Sequence, residues 1–334
     1  MIINCEQIIN FGIMSEKKFK IIFTDYDYPS IEIEKNVLKE IDCEIISLQS
    51  VDENRLIGAC RDADALIIQY APITAKVIAS MEKCKVISRY GIGVDTIDIT
   101  AARIKGIPVC NVPDYCTNEV ADHALALIFS LGRKTVLLSN SVRQGTWNLL
   151  KVVKPIYNFK KQVLGLVGFG KIPQNLYKKA VQIFNEVKVF DPFVSSSITS
   201  SFNLRLTSFY EILRTCDFIS IHCPLNENAR HLFSMREFQL MKPTAFLINT
   251  SRGGVVNTPD LYQAIKNGLI AGTGLDVLEK EPPGMDFELV KFDNVIITPH
   301  MGFYSESALE ELKYKAAVNV LKVLKDEKPV NIVN

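Results

Sequence analysis

At 334 residues the chain exceeds the usual size of one domain, and 38 basic against 37 acidic residues leave a net charge of +1. Two domains with sizeable cores are therefore expected, and the balance argues against nucleic acid or an anionic membrane as an obligate partner and in favour of a small-molecule ligand. The eight cysteines show no metal-type Cys-x-x-Cys spacing and lie mostly in apolar runs, so they read as buried thiols of a reducing cytosol, with no metal site.

From the start of the chain, no apolar run approaches the length of a membrane span, and the first residues lack the order of a signal peptide. A cytoplasmic protein is expected. Residues 1–13 read as an extension, because Met14-Ser-Glu-Lys-Lys before the first strand resembles a natural chain start. Short apolar strands then alternate with helical patterns at Lys20–Phe23, Glu44–Ser47, Ala65–Ile68, Val86–Ser88 and Pro108–Asn111. That alternation predicts a mostly parallel sheet flanked by helices. The Ala- and Leu-rich run Thr117–Leu138 has helical spacing and is long enough to link two domains.

A second series follows, with strands at Val163–Val167, Val187–Phe190, Phe218–His222, Ala245–Asn249 and Val295–Thr298, and a final helix near Glu306–Leu324 that returns to the first domain. Its first strand runs into Gly168-Phe-Gly170, then Lys171 and Ile172 open a helix, and Asp191 ends the next strand about 20 residues on. In a dinucleotide fold the first glycine makes the tight turn, the second admits the pyrophosphate at the helix N-terminus, and the acid binds the adenosine ribose. Asp191 favours NAD over NADP. Pro173 stands at the third glycine position, where a first helical turn tolerates proline because its missing donor is not needed. The hydroxyl-rich segment Ser195–Ser201 reads as a surface loop.

Three ionisable residues close the pattern: Arg252 in Asn249-Thr-Ser-Arg-Gly-Gly254, Glu281 in Leu275-Asp-Val-Leu-Glu-Lys-Glu-Pro282, and His300 in Ile297-Thr-Pro-His-Met-Gly302. Oxidising a 2-hydroxy acid removes a hydride from C2 and a proton from the hydroxyl, and histidine is the natural base. A glutamate on its second nitrogen fixes the tautomer, and an arginine fork matches a carboxylate bidentately. Taken singly, Arg-Gly-Gly is a turn and Pro-His a loop; together they predict a dehydrogenase.

These phrases, with Arg89-Tyr-Gly-Ile-Gly-Val-Asp95, Asn111-Val-Pro113, Glu119-Val-Ala-Asp-His123 and Ile221-His-Cys-Pro-Leu225, resemble the D-isomer-specific 2-hydroxyacid dehydrogenase family from about Lys18 to Leu324. The nearest likeness is to its phosphoglycerate-dehydrogenase-like and C-terminal-binding-protein-like branch. The resemblance implies two Rossmann-like doubly wound domains, the first discontinuous: 14–116 with 301–334 for substrate, and 117–300 for NAD. It implies Arg252, Glu281 and His300 as catalytic residues, with Glu279 a decoy. Thr250 and Asp276 would line the nicotinamide, and His222, Cys223 and Pro224 the loop passing the cofactor. Arg89, the turn Tyr90, Gly91, Ile92 and Gly93, and Phe303 would border the substrate, the turn through backbone amides. For Asp276 a structural role capping neighbouring backbone is an equal alternative, as interdomain core is for Phe303. His123 and His231 match no catalytic position and read as structural.

The family likeness also implies a homodimer, with the helix from Glu119 and the arm Arg143–Trp147 on the partner. Asn175, Tyr177 and Phe184 stand where the family has small residues, and their bulk predicts a helix pushed outward or rotated and a cofactor held less tightly. Two functions follow: an NAD-dependent oxidoreductase of a small D-2-hydroxy acid, or an NAD(H)-sensing binding protein of co-repressor type on the same scaffold.

Overall fold

The computed structural model describes residues 18–147 and 150–334; the extension expected at 1–13 lies outside them. The chain divides into two compact units, one running to Tyr115 and resuming with Leu309–Asn334, the other Cys116–Ala308.

The first unit holds β1 (Phe19–Phe23), β2 (Cys43–Ser47), β3 (Ala65–Ile68), β4 (Val86–Arg89) and β5 (Val109–Cys110) in the parallel order β2-β1-β3-β4-β5. Every residue of β3 is buried, as befits a parallel strand covered on both faces. From the last helix, Leu312, Ala316, Val320 and Leu324 recur every fourth residue and are buried. Ser88 Oγ donates to the Ala316 carbonyl at 2.9 Å and fixes that helix on β4.

In a doubly wound sheet the ligand crevice opens where the strand order reverses, here between the ends of β1 and β3. Asp25 closes it: the buried carboxylate accepts the amides of Gln69, Tyr70 and Ala71 at 3.2, 2.6 and 3.1 Å. The first unit has therefore spent its switch point on its own backbone.

The second unit holds β6 (Val163–Val167), β7 (Glu186–Phe190), β8 (Phe218–Ile221), β9 (Phe246–Asn249), β10 (Gly272–Leu275) and β11 (Val295–Ile297), parallel in the order β11-β10-β9-β8-β6-β7. The order reverses at β6. Strand β10 carries no strand pattern in Gly-Thr-Gly-Leu and was not expected; its glycines serve packing instead. A Cβ on Gly274 would stand 3.1 Å from Leu127 Cβ, so the helix Thr117–Gly132 lies directly on β10.

Two expectations are corrected. The run Thr117–Leu138 is two helices, Thr117–Gly132 and Thr135–Arg143, broken where Lys134 turns left-handed at φ 54°. The serine-rich segment is a short helix, Ser196–Ser201: Ser195 Oγ caps it by accepting the Ile198 amide, and Ile198 packs on the core. The capping power of serine, and not its loop tendency, decides the local structure.

The bulky residues near the glycine turn are absorbed by aromatic packing. Tyr177 meets Phe169 and Phe202 edge-on at 5.7 and 5.8 Å, and Phe184 meets Phe159 and Phe218 at 5.3 and 5.8 Å. The helix Lys171–Ala180 still buries Pro173, Leu176 and Ala180. Among the described residues no helix is long and apolar enough to cross a membrane.

Candidate active site

Because the strands of the second unit are parallel, their C-terminal ends share one edge. There the chain places Gly168 after β6, Asp191 after β7, His222 after β8, Thr250 after β9, Asp276 after β10 and Thr298 after β11. Six predicted or neighbouring residues thus meet at the edge where doubly wound sheets bind ligands.

His300 and Glu281 form a pair, with Nδ1 2.7 Å from Glu281 Oε2. The second carboxylate oxygen accepts the Leu278 amide at 2.7 Å. Burial raises the Glu281 carboxyl, but these bonds outweigh it and hold it below the usual carboxylate value. An ionised Glu281 is acceptor only, so His300 carries its proton on Nδ1 and, when neutral, leaves Nε2 as a base. Glu279 is spent elsewhere: Oε1 lies 2.6 Å from His231 Nε2 and Oε2 accepts the Thr258 amide at the start of the helix Thr258–Lys266. The glutamate nearer the motif's start is a structural brace.

Arg252 is set by its neighbours. Asn249 accepts the Ser251 amide at 3.0 Å through Oδ1 and donates to the Arg252 carbonyl at 2.9 Å through Nδ2, which locks the turn. The next residue cannot bear a side chain, since a Cβ on Gly253 would stand 1.9 Å from the Leu278 carbonyl carbon. Close contact of these two backbones ties the segment carrying Arg252 to the one carrying Glu281.

At the order reversal, Gly168 adopts φ +95°, and a Cβ there would come within 2.9 Å of the His222–Cys223 backbone. A Cβ on Gly170 would meet only open space. Gln174 is the first residue to bond back, to the Gly170 carbonyl at 3.1 Å, so the amides of Gly170, Lys171 and Ile172 have no acceptor in the helix. Pro173, the next residue of the same first turn, has no amide to add, so the anion cradle keeps these three donors and the helix loses no bond. Asp191 accepts the Phe169 and Phe193 amides at 2.7 Å each. Nearby, Thr250 Oγ1 is buried without a hydrogen-bond partner. A crevice with free amides, a carboxylate and an orphaned hydroxyl fits a dinucleotide. Its third wall is neutral: burial pulls the His222 pKa down to about 3 and pushes the Cys223 thiol up to about 11. Pro224, the last residue of that loop, is exposed.

In the first unit, the turn after β4 holds Gly91 at φ +131°, with Asn111 Nδ2 donating to the Ile92 carbonyl at 2.6 Å. Arg89 and Gly93 are half-buried beside it. Tyr90 differs from expectation. Its amide donates to the Ile68 carbonyl at 2.8 Å and its buried phenol to Glu34 Oε1 at 2.5 Å, so it anchors the turn and offers a ligand neither group. Phe303 is half-buried and packs edge-on against Tyr304 at 6.3 Å. Among the described residues no cluster of His, Cys, Asp or Glu could hold a metal ion, and no cysteine forms a disulfide.

Sequence reasoning assigned no role to Asn249, Thr298 or Phe193. The first two stand inside the phrases that carry Arg252 and His300; Phe193 is 87% exposed, two residues beyond Asp191, where an unpartnered aromatic was a signal.

Residues 125–302 match the family model described as the NAD binding domain of D-isomer specific 2-hydroxyacid dehydrogenase. The chain is 35% identical over 317 residues to D-3-phosphoglycerate dehydrogenase of Methanocaldococcus jannaschii, covering 94% of this chain and 59% of that protein, less than two thirds of its length. It is 37% identical over 285 residues to glyoxylate reductase of Thermococcus litoralis, covering 84% and 86%. Among solved structures, D-lactate dehydrogenase of Aquifex aeolicus in complex with NAD and lactic acid superposes with a TM-score of 0.82 at 26% identity, covering 92% of this chain and 96% of that one.

Proposed function

The chain belongs to the D-isomer specific 2-hydroxyacid dehydrogenase family, and we propose that it interconverts a small D-2-hydroxy acid and its 2-oxo acid with NAD. The observation that carries the reading is the His300–Glu281 pair at 2.7 Å on the sheet edge that also holds the glycine turn. Glu281 keeps the proton on Nδ1, and His300 Nε2 takes the hydroxyl proton during oxidation or returns it during reduction. On the second unit, Arg252 grips the substrate carboxylate and Phe303 is a further substrate residue; on the first unit, taken by itself, Arg89 and the amides of Gly91, Ile92 and Gly93 are the substrate residues. Gly168, Gly170, Lys171, Ile172, Asp191, His222, Cys223, Pro224 and Thr250 hold the cofactor, and Phe193 offers the adenine an exposed aromatic face. NAD, when bound, accepts or supplies the hydride at C2.

The first unit, 14–116 with the C-terminal return, then serves the substrate and 117–300 the nucleotide. A phosphorylated substrate would want cations beyond Arg252; Arg89 and Lys76 are a thin supply, and Lys76 is already 3.5 Å from Glu53, so a small unphosphorylated acid is favoured. Each relative named above is called a dehydrogenase or reductase, which favours turnover over the co-repressor-type reading. A homodimer through the helix from Glu119 and the arm Arg143–Trp147 accords with exposed Trp147 and, beside the arm, exposed Val142, and a cytoplasmic location accords with the lack of disulfides among the described cysteines. The test is His300→Gln: turnover of 2-oxo acids should vanish while NADH binding survives, and near wild-type turnover would sink the assignment.

A further inference from the structure

His300 is held in a left-handed conformation, φ 54°, which disfavours a residue that bears a side chain. Such a conformation persists only where its surroundings over-determine it. Asp276 supplies most of the restraint, with the Thr298 carbonyl sharing the His300 amide at 3.0 Å. The Asp276 carbonyl accepts the His300 amide at 2.8 Å, and the Asp276 carboxylate accepts the Met301 amide at 3.0 Å and the Gly302 amide at 2.8 Å. Three successive amides thus end on Asp276, which is 3% exposed. Burial raises its carboxyl, but the bonds from His123, Thr298 and the Gly302 amide prevail and hold it below the usual value.

Behind Asp276 stand two groups from other elements. Thr298 Oγ1 donates to Asp276 Oδ1 at 2.6 Å, and His123 Nε2 lies 2.8 Å from the same hydroxyl and 3.3 Å from Oδ1. The hydroxyl has one proton, already committed to Asp276, so His123 must donate from Nε2 into its lone pair. The His123 ring also backs the turn, because a Cβ on Gly302 would stand 3.4 Å from both Cδ2 and Cγ. His123 reaches this place because the helix Thr117–Gly132 sits tightly on β10, with Leu127 against Gly274 one turn further on.

We propose that His123 is a positioning residue for His300, acting through Thr298 and Asp276 on the turn 300–302. The inference rests on the acid–base reading of His300. Asp276 then works as the hub of the turn, whichever cofactor contact it also makes. Loss of the His123 donor loosens the turn and misplaces the imidazole, and small misplacements of a reacting group cost up to about 100-fold in rate. Substrate and cofactor grips belong to other residues, so the loss appears in kcat.

The experiment compares His123→Phe, which keeps a ring but no donor, with Thr298→Val, which removes the relaying hydroxyl at nearly constant volume. Each should lower kcat about tenfold, with KM for the 2-oxo acid and NADH affinity within about twofold. Acting on one path, the double variant should lose little more than either single one, and His123→Gln, which restores a donor, should recover most of the rate. A purely structural role would lower the melting temperature and leave kcat below it unchanged; that result in either folded variant overturns the proposal. Imidazole nitrogen NMR gives a readout apart from turnover: the His300 Nδ1–H signal should weaken in both variants, and an unchanged signal overturns the proposal. If the wild type reduces no 2-oxo acid, the acid–base reading falls alone, and the imidazole signals still decide the role of His123.

Discussion

Replacing Glu281 with glutamine preserves shape and changes one proton inventory. Both carboxylate oxygens are acceptors, one for the Leu278 amide and one for His300 Nδ1, each at 2.7 Å. Glutamine has one acceptor end and one donor end. The Leu278 amide cannot become an acceptor, so the glutamine oxygen stays with it and the NH2 group faces His300. The imidazole must then accept at Nδ1, which moves its proton to Nε2 and disables it as a base. Loss of the charge-assisted bond alone is worth about 1.5–3 kcal/mol, or roughly 10- to 150-fold. A reversed tautomer with intact geometry costs about 10⁴ in serine-protease triads. The expected fall in kcat for Glu281→Gln is therefore between about 10² and 10⁴. Since the His300 and Glu281 side chains are 41% and 37% exposed, stability should change little. The assay is NADH absorbance under saturating 2-oxo acid, with melting temperature as control. A kcat within threefold of wild type in a folded variant would refute the proton argument.

Arg252→Lys exchanges a fork for a point charge and should raise KM for 2-oxo acids about 10- to 100-fold by saturation kinetics; an unchanged KM would remove Arg252 from the carboxylate. Asp276→Asn should lower the melting temperature at neutral pH. The folded Asp276 pKa lies below its unfolded value, so its contribution is complete above about pH 4 and fades as pH falls through the folded value. The gap between wild type and variant should therefore narrow on acidification below about pH 4, and a gap that widens there contradicts the bonding described. Gly253→Ala places a Cβ 1.9 Å from the Leu278 carbonyl carbon and should cost at least about 1–3 kcal/mol with a loss of activity; a variant as stable and active as wild type would contradict the backbone contact.

Much of the fold was legible because its strands carry the pattern that buried parallel strands need, as in Ala-Leu-Ile-Ile of β3. Strand β10 escaped because Gly274 is chosen for the helix lying on it, a tertiary demand that leaves no local mark. The serine helix escaped because capping and loop tendencies use the same residues. At the candidate site, Glu281 was separable from Glu279 by its place before Pro282, and the two carboxylates do take different partners. The identity of Tyr90 as an anchor was hidden, since its partner Glu34 lies 56 residues away. The same holds for His123, whose proton reaches the His300 turn across 175 residues of sequence. Local phrases name the reacting groups; long-range contacts that hold them have no spacing to read.

The most direct test of the account is a titration of the full chain with NADH, followed by absorbance assays against a panel of small 2-oxo acids. Saturable NADH binding, with oxidation that requires a 2-oxo acid, is the predicted result. Failure to bind either NADH or NADPH, or binding with no oxidation across the panel, would contradict it.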